Sequence, residues 1–358
     1  MKAAVFNQVN APLDLVEVEV ADPGPHEVVV RLLASGVCHT DEAVRQGSYP
    51  LPPPMVLGHE GAGIVERVGA SVEGLRPGDQ VISTASAACG RCWYCVRGEE
   101  HGCPHRPDFI SARNFITAPG TRIAGIAGLG TFAEAMTVHE ATLVKVESDL
   151  PPDQLALIGC GVVTGFGAVL GTARVEAGAV VAVIGCGGVG QSAVQAAVLS
   201  GASQVIGVDP VAFKRDRALQ AGASTVIDPA EDAVAAIKDL TDGRGADYAI
   251  EAGGTVATCE LAMDVARPGG TTVIVGVAAP SDVLAIAPIR FLRDRKILKG
   301  SIAAGGSARK LIPMIAELAG SGRVDIASMV TKTIGLDDLP AAFGDMEAGR
   351  VTRSVIMY

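Results

Sequence analysis

An apolar run, Ala179 to Gly185, leads directly into Gly185-Cys186-Gly187-Gly188-Val189-Gly190, and the pattern turns helical from Gly188 to Leu199. A strand that opens through G-x-G-x-x-G into a helix leaves the chain few folds. The glycines permit a tight turn and close backbone approach, so a pyrophosphate can rest on the unpaired amide N–H groups of the helix start. The next strand-like run, Val205 to Asp209, ends in a carboxylate 19 residues after Gly190. That is close to the roughly 20 expected for the acid that takes the adenosine-ribose hydroxyls. A carboxylate there repels a 2′-phosphate, so the loop reads as a site for NAD rather than NADP. A ligand-free glycine turn would leave that acid unexplained. Cys186 inside the loop reads as a small filler, since nothing nearby in sequence lowers its pKa. Further strand-like runs at Thr225–Asp228, Tyr248–Glu251 and Thr272–Val277 alternate with helical stretches. This is the rhythm of βαβ units in an α/β, doubly wound parallel sheet.

Outside this region the texture differs. Short pieces such as Glu27 to Leu32 and Gly63 to Val68 are punctuated by Gly and Pro and suit an irregular, mainly β domain. The change falls near Pro151-Pro152, and the tail from about Ala303 returns to mixed helix and strand. The expected organisation is a mainly β domain from residues 1–160 and 303–358, interrupted by a nucleotide-binding domain over 161–302. At 358 residues the chain exceeds one ordinary core, and 49% hydrophobic residues with a mean hydropathy of +0.36 suffice to bury two. A formal charge of −10 and the absence of any Lys/Arg run leave no field for a phosphate backbone, so nucleic acid is not an expected partner. The start, Met1 to Gln8, breaks its apolar run too early for a secretory segment, and no run is read as reaching the ~18 apolar residues of a membrane span. A soluble cytoplasmic protein with no membrane partner is expected.

In a reducing compartment closely spaced cysteines point to metal rather than to disulfides. Cys89, Cys92, Cys95 and Cys103 are spaced C-x₂-C-x₂-C-x₇-C in a polar, turn-rich stretch. Four thiolates would satisfy a tetrahedral Zn²⁺ completely and leave it a structural role. His101 and His105 flank Cys103 and offer substitute ligands, but read better as surface residues. Cys38, His59 and Cys160 form a second, dispersed set of N/S donors with Glu60 beside His59. Three donors hold zinc with a position left open for a substrate oxygen. Spacing alone leaves an ordinary buried Cys or His as the alternative for this second set.

Taken together and in order, Gly36-Val37-Cys38-His39-Thr40-Asp41, Gly58-His59-Glu60-Gly61-Ala62-Gly63 with Gly69, the cysteine quartet, Gly159-Cys160-Gly161 and the glycine loop resemble the zinc-dependent alcohol dehydrogenases of the medium-chain dehydrogenase/reductase superfamily. The resemblance covers essentially the whole chain. It implies a GroES-like catalytic domain, a Rossmann domain, two zinc ions per chain and reversible hydride transfer between a primary alcohol or aldehyde and NAD. By position it implies that Cys38, His59 and Cys160 bind the catalytic zinc, with Glu60 as an exchange ligand. Asp41 would fix the His59 tautomer, and Thr40 would accept the proton of the alcohol. His39 and Arg353 resemble pyrophosphate contacts. Lys214 resembles the partner of Asp209 at the ribose, Thr164 matches a position near the nicotinamide, and Val277 joins the pyrophosphate-loop residues Gly185, Gly187, Gly188, Val189 and Gly190 as a further cofactor contact.

The chain also departs from that pattern. Ala43 stands where many relatives carry a proton-relaying histidine, and Ala85 and Ala303 stand where bulkier residues often line the substrate pocket. These losses imply altered proton release and substrates larger than ethanol. Gly159-Cys160-Gly161-Val162 and Asp209 to Arg215 look most like actinobacterial members. Those include thiol-dependent formaldehyde dehydrogenases, of mycothiol or glutathione type, and enzymes that retain their nicotinamide and reduce an added acceptor. The stretch from Cys103 to Phe132 is closer in length to dimeric than to short-loop tetrameric members, so a homodimer is expected. A non-catalytic nucleotide-binding protein is the remaining alternative, and the intact Cys38, Thr40, His59 and Cys160 argue against it.

Overall fold

The computed structural model describes residues 1–358, which divide into one unit of Met1–Cys160 with Ser307–Tyr358 and a second of Gly161–Gly306. In the first unit the β-rich stretches close into two sheets. The larger runs in the order Leu143–Lys145, Gln80–Ser83, Glu60–Val68, Glu27–Gly36, Arg353–Met357, Val330–Ile334, with Ala135–His139 also paired to Glu27–Gly36. Its alternating valines make the core, where Val28, Val30, Leu32, Val65, Val81 and Met136 are at most 2% exposed. The long strand Glu27–Gly36 decides what meets at its end. Its register with Glu60–Val68 closes on Gly36 opposite Glu60, and on its other side Val355 lies opposite the same Gly36. Only glycine fits between them, because a Cβ at Gly36 would lie 2.1 Å from Glu60 Oε2. Pairing thus delivers Glu60 and the start of the C-terminal strand to the point where Cys38 follows.

The second unit is a parallel sheet in the order Thr225–Ile227, Gln204–Val208, Val180–Ile184, Ala246–Glu251, Ala266–Ile274, Ile297–Gly300. The order reverses between Val180–Ile184 and Ala246–Glu251, so the βα loops part there and leave a crevice at the carboxyl ends of those strands. Small core side chains, Ala182, Ala249, Ala262 and Ala266 among Ile184, Ile206 and Ile250, let the helices lie close on the sheet. The helix Gly188–Leu199 coincides with the sequence pattern. The strand expected over Thr272–Val277 instead spans Ala266–Ile274. Val275 N still donates to Glu251 O, where the neighbouring strand ends.

One expectation is overturned. The helical stretch Pro152–Ala173 is 22 residues long with a hydropathy of 1.9, enough by length and composition to cross a membrane. Within the fold 72% of its apolar window is buried, so core packing accounts for that hydrophobicity. Gly159-Cys160-Gly161 interrupts the apolar pattern as read along the sequence. The backbone passes through these residues in wide turns at Ile158–Val162 and Gly167–Ala173.

Candidate metal centres and nucleotide loop

Cys38 leaves the long strand in extended conformation and starts the helix His39–Gln46. The first turn of that helix therefore holds His39, Thr40 and Asp41, with His39 exposed, Thr40 half-buried and Asp41 fully buried. Asp41 Oδ1 accepts from Gly58 N at 2.9 Å and lies 3.2 Å from His59 Nδ1. That contact puts the ring proton on Nδ1 and leaves Nε2 as a donor to a metal. Ser83, passed over in the sequence, holds the other side: its Oγ donates to His59 O at 3.1 Å and accepts from Gly61 N at 2.7 Å. One ligand atom each from Cys38, His59, Glu60 and Cys160 all lie within 4.8 Å of one another. The Thr40 hydroxyl is 3.8 Å from Cys38 Sγ.

This cluster is electrostatically strained as a set of bare side chains. A hydrogen bond from Cys160 pulls the Cys38 thiol well below its usual range against burial, helped by the charges of His59 and Arg353. The same contact and burial push Cys160 well above it. Burial opposes charge on His59, yet Asp41 and Cys38 outweigh it and raise its pKa. Burial pushes Glu60 up to about 7 despite the opposing charge of Arg353. Both Glu60 carboxylate oxygens and Asp41 Oδ2 are buried without a hydrogen bond. Arg353 is buried too: Nη1 donates to Val37 O at 3.2 Å, and Nη2 stands 3.5 Å from Glu60 Oε1, an ion pair without hydrogen-bond geometry. Two sulfurs, one oriented imidazole nitrogen and an orphaned carboxylate converging in a buried site fit Zn²⁺.

The four-cysteine stretch folds back on itself, so that Cys92 and Cys89 Sγ lie 3.4 and 3.9 Å from Cys95 Sγ. These separations bracket the ~3.8 Å edge of a tetrahedron with Zn–S near 2.3 Å. Backbone N–H groups already face the sulfurs, with Cys92 N 3.3 Å from Cys89 Sγ and Cys89 N 3.4 Å from Cys103 Sγ. The N–H of Arg91 leads in lowering Cys89 to about 6, whereas burial lifts Cys95 to about 12. His101 and His105 are exposed. Cys38, His59, Glu60 and Cys160 stay apart from this quartet as a distinct group.

In the second unit Gly185 takes φ +91°, and a Cβ at Gly190 would come within 1.9 Å of Gly185 O, so the turn closes only on glycine. Gly187 caps the helix Gly188–Leu199 with no side chain, and nothing lies within 4 Å of where its Cβ would be. The helix start is thus an open cradle with the polarity an anion needs. Asp209 is 4% exposed. Its oxygens accept from Cys186 N and from Val211 N, each at 2.8 Å, so the carboxylate also braces the glycine loop. Arg215, given no role from the sequence, donates to Asp209 O at 2.8 Å and pairs with Asp228 at 2.9 Å. Lys214 and Thr164 are half-buried on the helices Ala212–Gln220 and Val163–Phe166, Val189 lies in the first turn after Gly188, and Val277 is exposed. Cys186 is fully buried, and burial pushes its thiol up to about 12, as suits a filler.

A parallel sheet with a dinucleotide-type loop, joined in one chain to a β-rich unit holding two zinc-type donor sets, defines a zinc-binding dehydrogenase. Comparison with known proteins agrees. Residues 24–148 match the alcohol dehydrogenase GroES-like domain, and residues 188–317 match the zinc-binding dehydrogenase domain. The chain belongs to the zinc-type alcohol dehydrogenases of the medium-chain dehydrogenase/reductase superfamily and is an oxidoreductase. It is 35% identical over 364 residues to a Mycobacterium tuberculosis protein named, as a provisional assignment, alcohol dehydrogenase D, with 99% of each chain covered. It is 36% identical over 375 residues to S-(hydroxymethyl)glutathione dehydrogenase of Paracoccus denitrificans, covering 100% of this chain and 99% of the other. Among solved structures, benzyl alcohol dehydrogenase of Acinetobacter calcoaceticus is similar at a TM-score of 0.91 and 32% identity, covering 99% of this chain and 98% of that one.

Proposed function

We propose that this enzyme oxidises primary alcohols to aldehydes, reversibly, with NAD. The observation that carries the reading is the convergence of Cys38, His59, Glu60 and Cys160 within 4.8 Å, beside the Thr40 hydroxyl. Cys38, His59 and Cys160 would hold one zinc, with Glu60 available as a fourth donor, and Cys89, Cys92, Cys95 and Cys103 would hold a second that is structural. When bound, zinc supplies a Lewis acid at an alcohol oxygen and NAD a two-electron acceptor. Thr40 accepts the hydroxyl proton while passing its own to water, since Ala43 supplies no relay, and Asp41 keeps His59 in its ligating tautomer. The loop Gly185–Gly190 would seat the pyrophosphate; His39 and Arg353 are cofactor contacts by the family resemblance alone. Asp209 and Lys214 take the adenosine ribose, and Thr164 and Val277 border the nicotinamide. The edge strand Ile297–Gly300 and the apolar residues around it accord with a homodimer.

Ala85 and Ala303 stand where relatives carry bulkier residues, which supports a bulky or aromatic alcohol, as does the likeness to benzyl alcohol dehydrogenase. Initial rates with NAD⁺ across short, long, cyclic and aromatic primary alcohols test this, with formaldehyde plus a small thiol as the parallel arm. We expect kcat/KM to rise from ethanol to the aromatic alcohols. Turnover confined to the thiol–formaldehyde arm would replace the proposal with the reaction named by the Paracoccus relative. Silence in both arms, with zinc present, would remove it.

A further inference from the structure

Glu251 ends the strand Ala246–Glu251 and is 0% exposed. No cation pairs with it. Its Oε1 accepts from Gly253 N at 2.7 Å and Gly254 N at 2.6 Å, with the Thr258 hydroxyl at 2.8 Å, and its Oε2 accepts from Gly276 N at 3.2 Å. Its backbone carbonyl accepts from Val275 N at 2.9 Å and from Gly276 N at 3.1 Å. The thiol of Cys259, buried beside it, is pushed up to about 11 by burial and by this carboxylate. A buried carboxylate is costly unless such donors surround it, so its presence calls for a reason that a neutral side chain would not meet.

The reason lies in what the donors belong to. Gly253 and Gly254 follow the strand beside Val180–Ile184, and Gly276 follows the strand after that. Glu251 thereby binds two successive βα loops into one piece of backbone. The joint is tight, since a Cβ at Gly254 would lie 3.0 Å from Val277 O and one at Gly185 would lie 2.8 Å from Gly253 N. Asp209 follows the strand on the opposite side of Val180–Ile184. A dinucleotide with its pyrophosphate at the Gly188 helix start and its adenosine ribose at Asp209 must extend its other nucleoside over the loops that Glu251 holds.

We propose that Glu251 is a positioning residue for the nicotinamide half of NAD, acting through the backbone of residues 252–254 and 275–277; the proposal rests on the NAD reading above. A neutral amide at this position would turn N–H groups toward N–H groups, and the two loops would separate. The adenosine half, held from Asp209 and the glycine loop, would keep its seat.

The test compares binding of NADH, by its fluorescence, with binding of ADP-ribose, by calorimetry, in the wild-type enzyme and in Glu251→Gln. ADP-ribose carries the adenosine and pyrophosphate but no nicotinamide. We expect the Kd for NADH to rise about tenfold or more in the variant, while that for ADP-ribose stays within about twofold. Zinc content should be unchanged. Equal weakening of both ligands would assign Glu251 a purely structural role and overturn the proposal, as would no change in either. Should Glu251→Gln fail to fold, Glu251→Asp keeps the charge and withdraws it by one methylene. The same split is expected there at about threefold, and equal loss of both ligands would again overturn it. Wild-type protein that bound neither NADH nor ADP-ribose would instead remove the NAD reading.

Discussion

At the scale of single residues, the buried group around Cys38 shows how far sequence carries and where it stops. Cys38, His59 and Cys160 are recognisable as donors by type, and their order along the chain matches a known family. That Asp41 reaches His59 was legible only through that resemblance, because an aspartate in the first turn of a helix is otherwise explained by the helix dipole. The pairing of Arg353 with Glu60 was not legible at all. It depends on two strands meeting the same Gly36 from opposite sides, which no local pattern encodes. Asp41 carries a prediction of its own. Its Oδ1 serves both Gly58 N and His59 Nδ1, and Asp41→Asn would present an amide that no longer stabilises the ligating tautomer. Loss of such a partner weakens metal binding about 10–100-fold. Dialysis against a mild chelator, followed by metal analysis, should strip one zinc from the variant under conditions where the wild type keeps two, with the cysteine quartet retaining its ion. Equal retention in both proteins would show that His59 is oriented by something else.

At the scale of elements, legibility followed locality. The helix Gly188–Leu199 and the strand Val180–Ile184 were readable because a strand, a glycine turn and an apolar helix face are written in one continuous segment. The extent of Pro152–Ala173 was not, since glycines that read as breaks are absorbed by wide helical turns. The turn before the strand Gln80–Ser83 was likewise not read from sequence, yet it is pinned by one side chain. Asp79, 8% exposed, accepts from Lys145 Nζ at 2.7 Å and from Arg76 N at 3.0 Å, tying the turn to the neighbouring strand Leu143–Lys145. The hydrogen bond from Lys145, then that from Arg76 N, hold the Asp79 carboxyl below its ordinary 3.8. A depressed acid stabilises the fold above its unfolded pKa and loses that contribution as pH falls through the folded one. Asp79→Asn should therefore cost about 1 kcal/mol at neutral pH, after allowance for solvent screening at the half-buried lysine. Chemical denaturation of both proteins down to about pH 2 should show that gap closing below the ordinary carboxylate range. A gap independent of pH would mean that the amide disturbs packing and that the charge contributes nothing.

At the scale of the whole molecule, the sheet Thr225–Ile227 to Ile297–Gly300 ends on an edge with no strand beyond it. An open edge templates pairing with another chain unless charge, a bulge or a covering element blunts it. Here Lys299 sits on the strand and Arg293, Asp294, Arg295 and Lys296 precede it, but large apolar side chains are exposed among them. Val283 is 77% exposed, Leu292 70%, Val277 65%, Ile302 57%, Ile289 56% and Ile297 45%, and all fall within the segment that precedes, forms or follows that edge. Isolated exposed apolar residues are ordinary, but a run of them beside an unpaired edge is what the proposed homodimer would bury. A strand related to its copy by a two-fold axis pairs antiparallel with itself and closes the assembly at two, whereas a head-to-tail contact would continue into a filament. The proposed homodimer would use this edge. Ile297→Lys places a charge on the edge, and Leu292→Asp places one on the adjoining helix Pro288–Asp294, both in the unit that contains neither donor cluster. Light scattering after gel filtration should give twice the 36.4 kDa chain mass for the wild type and the single chain mass for the double variant, with its zinc content intact. A wild type of single mass, or a double variant that remains a dimer, would move the interface elsewhere and leave this apolar edge without a partner.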